Sequence, residues 1–535
     1  MSDTPLPTGW CVVPLADVLD RLHDGRTLHH GWSPQCEAEP STDDAIWGVL
    51  KTTAVQHGQY LEQHNKLLPS KLRPRANLEV KAGDILMTCA GPRVRCGVPC
   101  LVRATRPRLI LSGKMYRFRV RPDLVEPRFM EAYLQAPPIQ AQIDAMKTGI
   151  SDSGLNLTHE RFHHLNVRIP PLAEQTRIAD RIDELFTDLA AGVAALERVK
   201  RNLSRYRAAV LHAAVTGRLT ESWRKQHGTP DEPGPKLLER ILAERRRQWE
   251  RRTLAKYEKD GKQPPKGWRS RYPEPFLPGT LAHSTVLPGL PDTWCWATHD
   301  QVGDVQLGRQ RAPEHHTGTH MRPYLRVANV YEDRIDTSDV LQMNFTPEEF
   351  ETYELRHGDI LLNEGQSMEL VGRPAMYRDE LPGGCFQNTL VRQRAIAPLV
   401  PEYALIVCLA QFRAGRFRKI ASITTSIAHL GAQRFAALEF PLPPIAEQEA
   451  IIDIVKEKLS LIDALTLEVQ RGLARAARLR QAILKAAFEG KLVQQDPNDE
   501  PAGVLLARLG SGPENHAAGT DSRRKRPLER TKAAR

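Results

Sequence analysis

Few residues in this chain have the type and spacing that chemistry demands. Glu79-Val80-Lys81 supplies the Glu-x-Lys half of a common nuclease site, where an acid holds a cation beside a lysine. No Asp precedes it at strand spacing, so the other half is missing. Cys96 and Cys100 are four apart with Cys89 nearby, but no second pair follows at zinc-finger spacing, and His315-His316 lies far along the chain. No Gly-x-x-x-x-Gly-Lys-Ser/Thr loop is present to cradle a nucleotide phosphate. An Asn/Asp-Pro-Pro-Tyr/Phe tetrad, as amino-methylating enzymes use, is also missing: Pro170-Pro171 and Pro443-Pro444 lack both flanks. The expectation is no catalytic residue and no bound metal.

Groups suited to a polyanion are better represented. Arg93 and Arg95 stand between Gly91 and Gly97 after a strand-like run. A second loop, between Gly365 and Gly372-Arg373, offers Gln366, Ser367, Glu369 and Arg373. Arginine matches the guanine edge in the major groove, glutamine adenine, and glutamate cytosine. Arg309, Gln310 and Arg311 form a further polar stretch after Gly308, and Lys51 and Arg326 are matched basic positions. A polar loop flanked by glycines is most often a solvated turn, so these residues matter only if the surrounding elements aim them alike.

Those elements are duplicated. Ile169-Pro170-Pro171-Leu172-Ala173-Glu174-Gln175 returns as Leu442-Pro443-Pro444-Ile445-Ala446-Glu447-Gln448, and the offset of 273 holds without a gap to Leu219 and Leu492. Leu6-Pro7-Thr8-Gly9-Trp10 is echoed by Leu290-Pro291-Asp292-Thr293-Trp294. At an offset of 275, Gly83-Asp84-Ile85-Leu86 meets Gly358-Asp359-Ile360-Leu361, Lys51 meets Arg326, and Gly97 meets Gly372. One spacing kept over separate motifs marks an internal repeat: a variable globular part followed by a helical part, twice.

The helical parts carry heptads. After the prolines, Ile178, Ile182, Leu185, Leu189, Leu196, Val199, Leu203, Tyr206 and Val210 follow alternating steps of four and three, with Gly192 at the vacant position. The second copy carries Val455, Leu459, Ile462, Val469, Leu473 and Ala476, interrupted by Thr466. Such a seam demands a partner, and the other copy in the same chain is the expected one, as an antiparallel pair. The variable parts read as mixed α/β. Asp84–Met87, Leu109–Leu111 and Tyr324–Val330 are strand-like, and helices are expected from Pro127 and Pro401. The fold class is therefore α+β: two mixed α/β domains separated by a long intramolecular coiled coil with a pseudo-two-fold repeat. The expected boundaries are 1–167, 168–285, 286–440, 441–510 and a disordered basic tail, 511–535.

Composition agrees with a globular protein. Of 535 residues 41% are hydrophobic, and no apolar run reaches the roughly 18–20 residues of a membrane span. Eight scattered cysteines and the lack of a leader suggest a cytoplasmic protein. Net charge is +11, but Pro235–Tyr272 alone holds thirteen Lys/Arg against five Asp/Glu, and the last fifteen residues hold seven against two. Most of the excess is in a connector and a tail, so charge alone argues only weakly for nucleic acid.

The order and duplication of Leu-Pro-x-x-Trp, Gly-Asp-Ile-Leu and Pro-Pro-x-Ala-Glu-Gln resemble the specificity (S) subunits of type I restriction-modification systems, to about residue 510. The resemblance implies a non-catalytic DNA reader with two target recognition domains, one for each half of a bipartite, asymmetric site. The paired helices would set the gap and dock two methyltransferase (M) subunits, with restriction (R) subunits joining. It implies no cofactor in this chain: S-adenosylmethionine, ATP and Mg2+ belong to the partners. The alternatives are an S subunit of a methyltransferase without a nuclease, or a scaffold binding only protein.

Overall fold

The computed structural model describes residues 5–22, 24–279, 287–424 and 427–510; the basic tail expected beyond residue 510 lies outside them. The chain divides into two units. One runs to Leu196 and resumes at Arg471; the other is Glu197–Gln470.

In the first unit a four-stranded antiparallel sheet runs in the order Leu28–His30, Met115–Phe118, Ile85–Thr88, Pro99–Leu101. The Gly-Asp-Ile-Leu motif makes one of its inner strands. Ile85 and Met87 face one core, with Trp10, Phe118 and Phe129, while Leu86 faces another, with Val49, Leu109 and Met115. A strand alternates its side chains between faces, so an unbroken apolar run serves two cores. A three-stranded sheet, Leu109–Ile110, Gly48–Leu50, Asn65–Leu67, covers the second face and contains a parallel pair.

The second unit repeats this topology. Its four strands run Gly303–Leu307, Leu390–Ala395, Ile360–Asn363, Pro374–Met376, and its three-stranded sheet Cys385–Phe386, Met321–Leu325, Leu341–Asn344 again has one parallel pair. Ile360 and Leu362 enter one core and Leu361 the other. The helices expected from Pro127 and Pro401 are Pro127–Gln135 and Pro401–Arg413. The strand expected over Tyr324–Val330 is broken. It ends at Leu325, because the Asn329 side chain accepts from the Arg326 amide and winds Val327–Asn329 into a 3-10 turn.

The two long helices are Leu172–Val215 and Ile445–Phe488, 44 residues each. Within the first unit, Ile178 and Ile182 share a core with Ile483, Leu484, Ala487 and Phe488, and Leu185 packs against it. Leu196 lies 3.0 Å from where a side chain on Gly472 would begin, and Arg480 stacks on Phe186. Leu189 and Leu473 are partly buried. In the second unit, Val210 and Ala214 share a core with Ile451 and Val455, Arg207 pairs with Asp463, and Ile462 and Val469 are buried. Leu203 and Leu459 are partly buried. Contacts advance along one helix as they recede along the other, so each unit holds an antiparallel pair. The seam departs from strict heptads: Val199 and Tyr206 are exposed. A straight helix drifts about 20° per heptad against a 3.5 repeat, which turns Tyr206 outward and brings its neighbour Arg207 towards Asp463.

The recurring motifs lock together. Trp10 Nε1 donates to the Glu174 carboxylate at 3.1 Å, and Trp294 Nε1 to Glu447 at 2.8 Å. Gln175 accepts from Glu126 N and Gln448 from Val400 N, the cap positions of the two short helices. These helix N-termini would otherwise leave amides unpaired. Gly490, ending the second long helix, lies against Pro7, and Gly217, ending the first, against Pro291. Among the described residues no helix is long and apolar enough to cross a membrane.

Candidate nucleic-acid interface

Each candidate loop leaves the equivalent inner strand of its own unit's four-stranded sheet. In the first unit, Ile85–Thr88 continues into Ala90–Gly91, a 3-10 turn Arg93–Arg95, and Gly97; in the second, Ile360–Asn363 continues into Gly365–Gln366 and reaches Gly372. The closing glycines have φ of +86° and +75°. A Cβ on Gly97 would meet Ile143 at 2.7 Å, and on Gly372 would meet Phe417 at 2.4 Å. Only glycine satisfies both the left-handed backbone and the close approach. The frame is thus shared and rigid while the tips differ.

The tips are engaged to different degrees. The half-exposed Arg93 guanidinium bridges Asp144 (2.7 Å) and Asp152 (3.0 Å). Arg95 donates to Gln56 Oε1 (3.0 Å) and to the carbonyls of Thr52 (2.6 Å) and Val55 (2.8 Å). It therefore fastens the loop to the turn that follows Lys51. Lys51 itself is half-buried and makes no ion pair among the described residues.

In the second unit Arg326 pairs with Asp339 and precedes the matching turn. Arg373 lies over the Tyr331 ring at 4.8 Å, with Arg334 over the same ring at 4.5 Å. Burial lowers the pKa of the Arg373 guanidinium. Gln366 accepts from the Ser367 amide, and both side chains are partly exposed. In each unit an arginine of the loop thus reaches the segment just after the matched basic residue.

Arg309 does not join them. It is buried, donates to Glu349 Oε1 (2.8 Å) and Asn344 O (2.8 Å), and lies over Phe345. Those bonds occupy its guanidinium. Gln310 and Arg311 are exposed beside it, Arg311 donating to His316 Nε2.

Sequence reasoning passed over two groups. Arg75 stacks on Trp32 at 4.6 Å in the first unit, and Tyr331 is clasped by two arginines in the second. Neither group has a counterpart at the repeat offset, which was the signal used. Among the described residues no three His, Cys, Asp or Glu side chains group as metal ligands. Burial pushes the Cys89 thiol up to about 12, the behaviour of a small buried hydrophobe.

The comparisons agree with this geometry. Residues 79–198, which include the first loop, match the family described as type I restriction modification DNA specificity domain. The type I restriction enzyme EcoEI specificity subunit of Escherichia coli is 38% identical over 181 residues, 34% of this chain and 30% of that protein. The EcoKI specificity subunit of Escherichia coli (strain K12) is 23% identical over 518 residues, covering 94% of this chain and 93% of its own. A solved structure of a type I R-M system, described in terms of complex assembly and conformational transition, superposes with a TM-score of 0.58 at 18% identity. It covers 91% of this chain and 99% of the other. Its likeness is one of fold. The repeated motifs, the matched domain and the near full-length relatives make the chain similar, over most of its length, to the specificity subunits of type I restriction-modification systems.

Proposed function

We propose that each unit reads one half of a bipartite, asymmetric DNA site, and that partner subunits carry out the chemistry. The observation that carries this reading is one scaffold built twice with different loop tips: Arg93, on a loop fastened by Arg95, in one unit, and Gln366, Ser367 and Arg373 in the other. A shared frame fixes how a loop meets the duplex; unlike tips give unlike base preferences. This chain would be non-catalytic. Two M subunits would bind S-adenosylmethionine, and R subunits would use ATP and Mg2+. The two 44-residue helices, each about 66 Å at 1.5 Å per residue, are shared by both units and would set the gap between the half-sites.

Co-purification with the methyltransferase, followed by mapping of methylated adenines, tests the reading. Methylation confined to a two-part sequence supports it; methylation without sequence preference overturns it. On the sequence so mapped, Lys51→Ala should weaken binding to every duplex and reduce the salt slope by about one phosphate contact. Gln366→Ala should cost about 1–3 kcal/mol on the cognate site and relax one base pair.

A further inference from the structure

Two aliphatic side chains in each unit are exposed beside the candidate loop without a packing role. In the first, Ile150 is fully exposed (108%) and Val94 is 81% exposed; in the second, Ile423 is 62% and Ile427 46% exposed. Scattered exposed hydrophobics are ordinary. These are not scattered.

Ile150 and Ile423 are related by the offset of 273 that also relates Leu157 to Leu430 and Phe162 to Phe435. Leu157, Leu430, Phe162 and Phe435 are buried, so the register is fixed by folding, yet the isoleucines face outward.

Both lie on a segment joined to the candidate loop by strand pairing. Leu155–Asn156, just after Ile150, pairs with Ala90–Gly91. Ser422–Thr424, which contains Ile423, pairs with Ile427–His429, and that strand pairs with Gly365–Gln366. Further bonds hold each segment in place. The Arg93 amide donates to Asp152 O at 2.9 Å while its guanidinium bridges Asp144 and Asp152. In the second unit the Arg434 guanidinium donates to Ser422 Oγ (2.9 Å) and His429 O (2.8 Å). An anchored segment presenting a branched aliphatic side chain is built to touch something apolar.

Charge narrows the choice. Arg93 and Lys147 beside Ile150 are balanced by Asp144 and Asp152, so phosphate attraction there is small. The apolar surfaces that duplex DNA offers in its grooves are the thymine 5-methyl group and the face of a base at an opened step. In the second unit exposed Arg418 and Lys419 lie just ahead of the segment, in keeping with a polyanion nearby.

Resting on the reading of these units as DNA readers, we propose that Ile150 and Ile423 make apolar contacts with the bases of their respective half-sites. They add to specificity without adding to the phosphate term.

The full-length chain with its methyltransferase subunits, the mapped cognate duplex and fluorescence anisotropy provide the test. Ile150→Ala and Ile423→Ala should each lower cognate affinity roughly tenfold, with the salt slope unchanged and selectivity relaxed in one half-site only. Uracil in place of thymine distinguishes the two apolar targets. If wild type loses the same factor and the variant loses nothing more, the contact is a thymine methyl. If uracil is harmless and the variants bend DNA less in gel mobility, the contact is a wedge at a base step. Unchanged affinity in both variants, while wild type still prefers cognate over scrambled DNA, overturns the proposal alone. So does loss of methyltransferase assembly on gel filtration, since the surface would then bind protein. A wild-type complex that cannot tell cognate from scrambled DNA overturns the underlying reading, and this proposal with it.

Discussion

Asp84 and Asp359 show why a short motif recurs where its surroundings diverge. Each is buried after a glycine at positive φ and accepts a guanidinium, Arg119 Nε for Asp84 and Arg394 Nε for Asp359, both at 2.7 Å. Arg119 and Arg394 are themselves 275 apart. The pairing was therefore legible in the sequence, as a charge kept at the offset, once the aspartate was known to be inside. Arg93 was not legible in this way. Its partners, Asp144 and Asp152, reach it only through the fold. Asp359→Ala should destabilise by about 1–3 kcal/mol, because it leaves the partly buried Arg394 guanidinium without its counter-charge; urea unfolding measures this. His299 sets a pH dependence. Complete burial holds its pKa down at about 4, against Gln393 and Gln411. The folded state therefore prefers the neutral ring, and the unfolded state takes up a proton first. That stability is full above about pH 6.5 and is lost as pH falls towards 4, by up to about 3 kcal/mol. His299→Gln should flatten the dependence of melting temperature on pH over that window. An unchanged profile would place the sensitivity elsewhere.

At the scale of elements, loops and helices are constrained in different ways. Gly372 and Gly228 both have φ near +70°, but only Gly372 has a phenylalanine where a Cβ would go. Alanine at Gly228 should cost about 1–2 kcal/mol for the left-handed backbone alone. At Gly372 it should cost about 2–4 kcal/mol, since overpacking adds to the same backbone term. Equal losses on thermal unfolding would mean that the loop yields freely and is no rigid frame. The helices were legible in outline because a heptad pattern declares its period. Which residues stay covered was harder to read, because the drift of a 3.6-residue helix accumulates with length. It leaves Val199 and Tyr206 outside while Ile462 stays inside. Ile462→Asp should therefore unfold the second unit at markedly lower urea, whereas Val199→Asp should change the midpoint little.

At the scale of the whole molecule, duplication made the architecture readable, but contiguous boundaries hid one thing. Each unit takes helix from both repeats: the first unit uses the start of one long helix and the end of the other. The motifs at the junctions are accordingly contacts between parts distant in the chain. Trp10 reaches Glu174, and the strand Cys11–Pro14 pairs with Asn166–Ile169. This bears on domain exchange. Replacing residues 1–167 by the same region of another specificity subunit should alter one half of the methylated sequence and leave the other untouched, because the second loop and its frame lie wholly within 197–470. The exchange needs a donor that keeps Leu-Pro-x-x-Trp. Without that tryptophan Glu174, buried in the recipient helix, keeps the Gln495 side chain as a hydrogen-bond partner but loses the indole donor, at a cost of about 1 kcal/mol. Trp10→Phe in the unexchanged chain isolates that cost: it should lower the melting temperature while the methylated sequence stays the same. An exchange that changed both halves of the site, with folding intact, would mean that the two units read DNA as one composite surface.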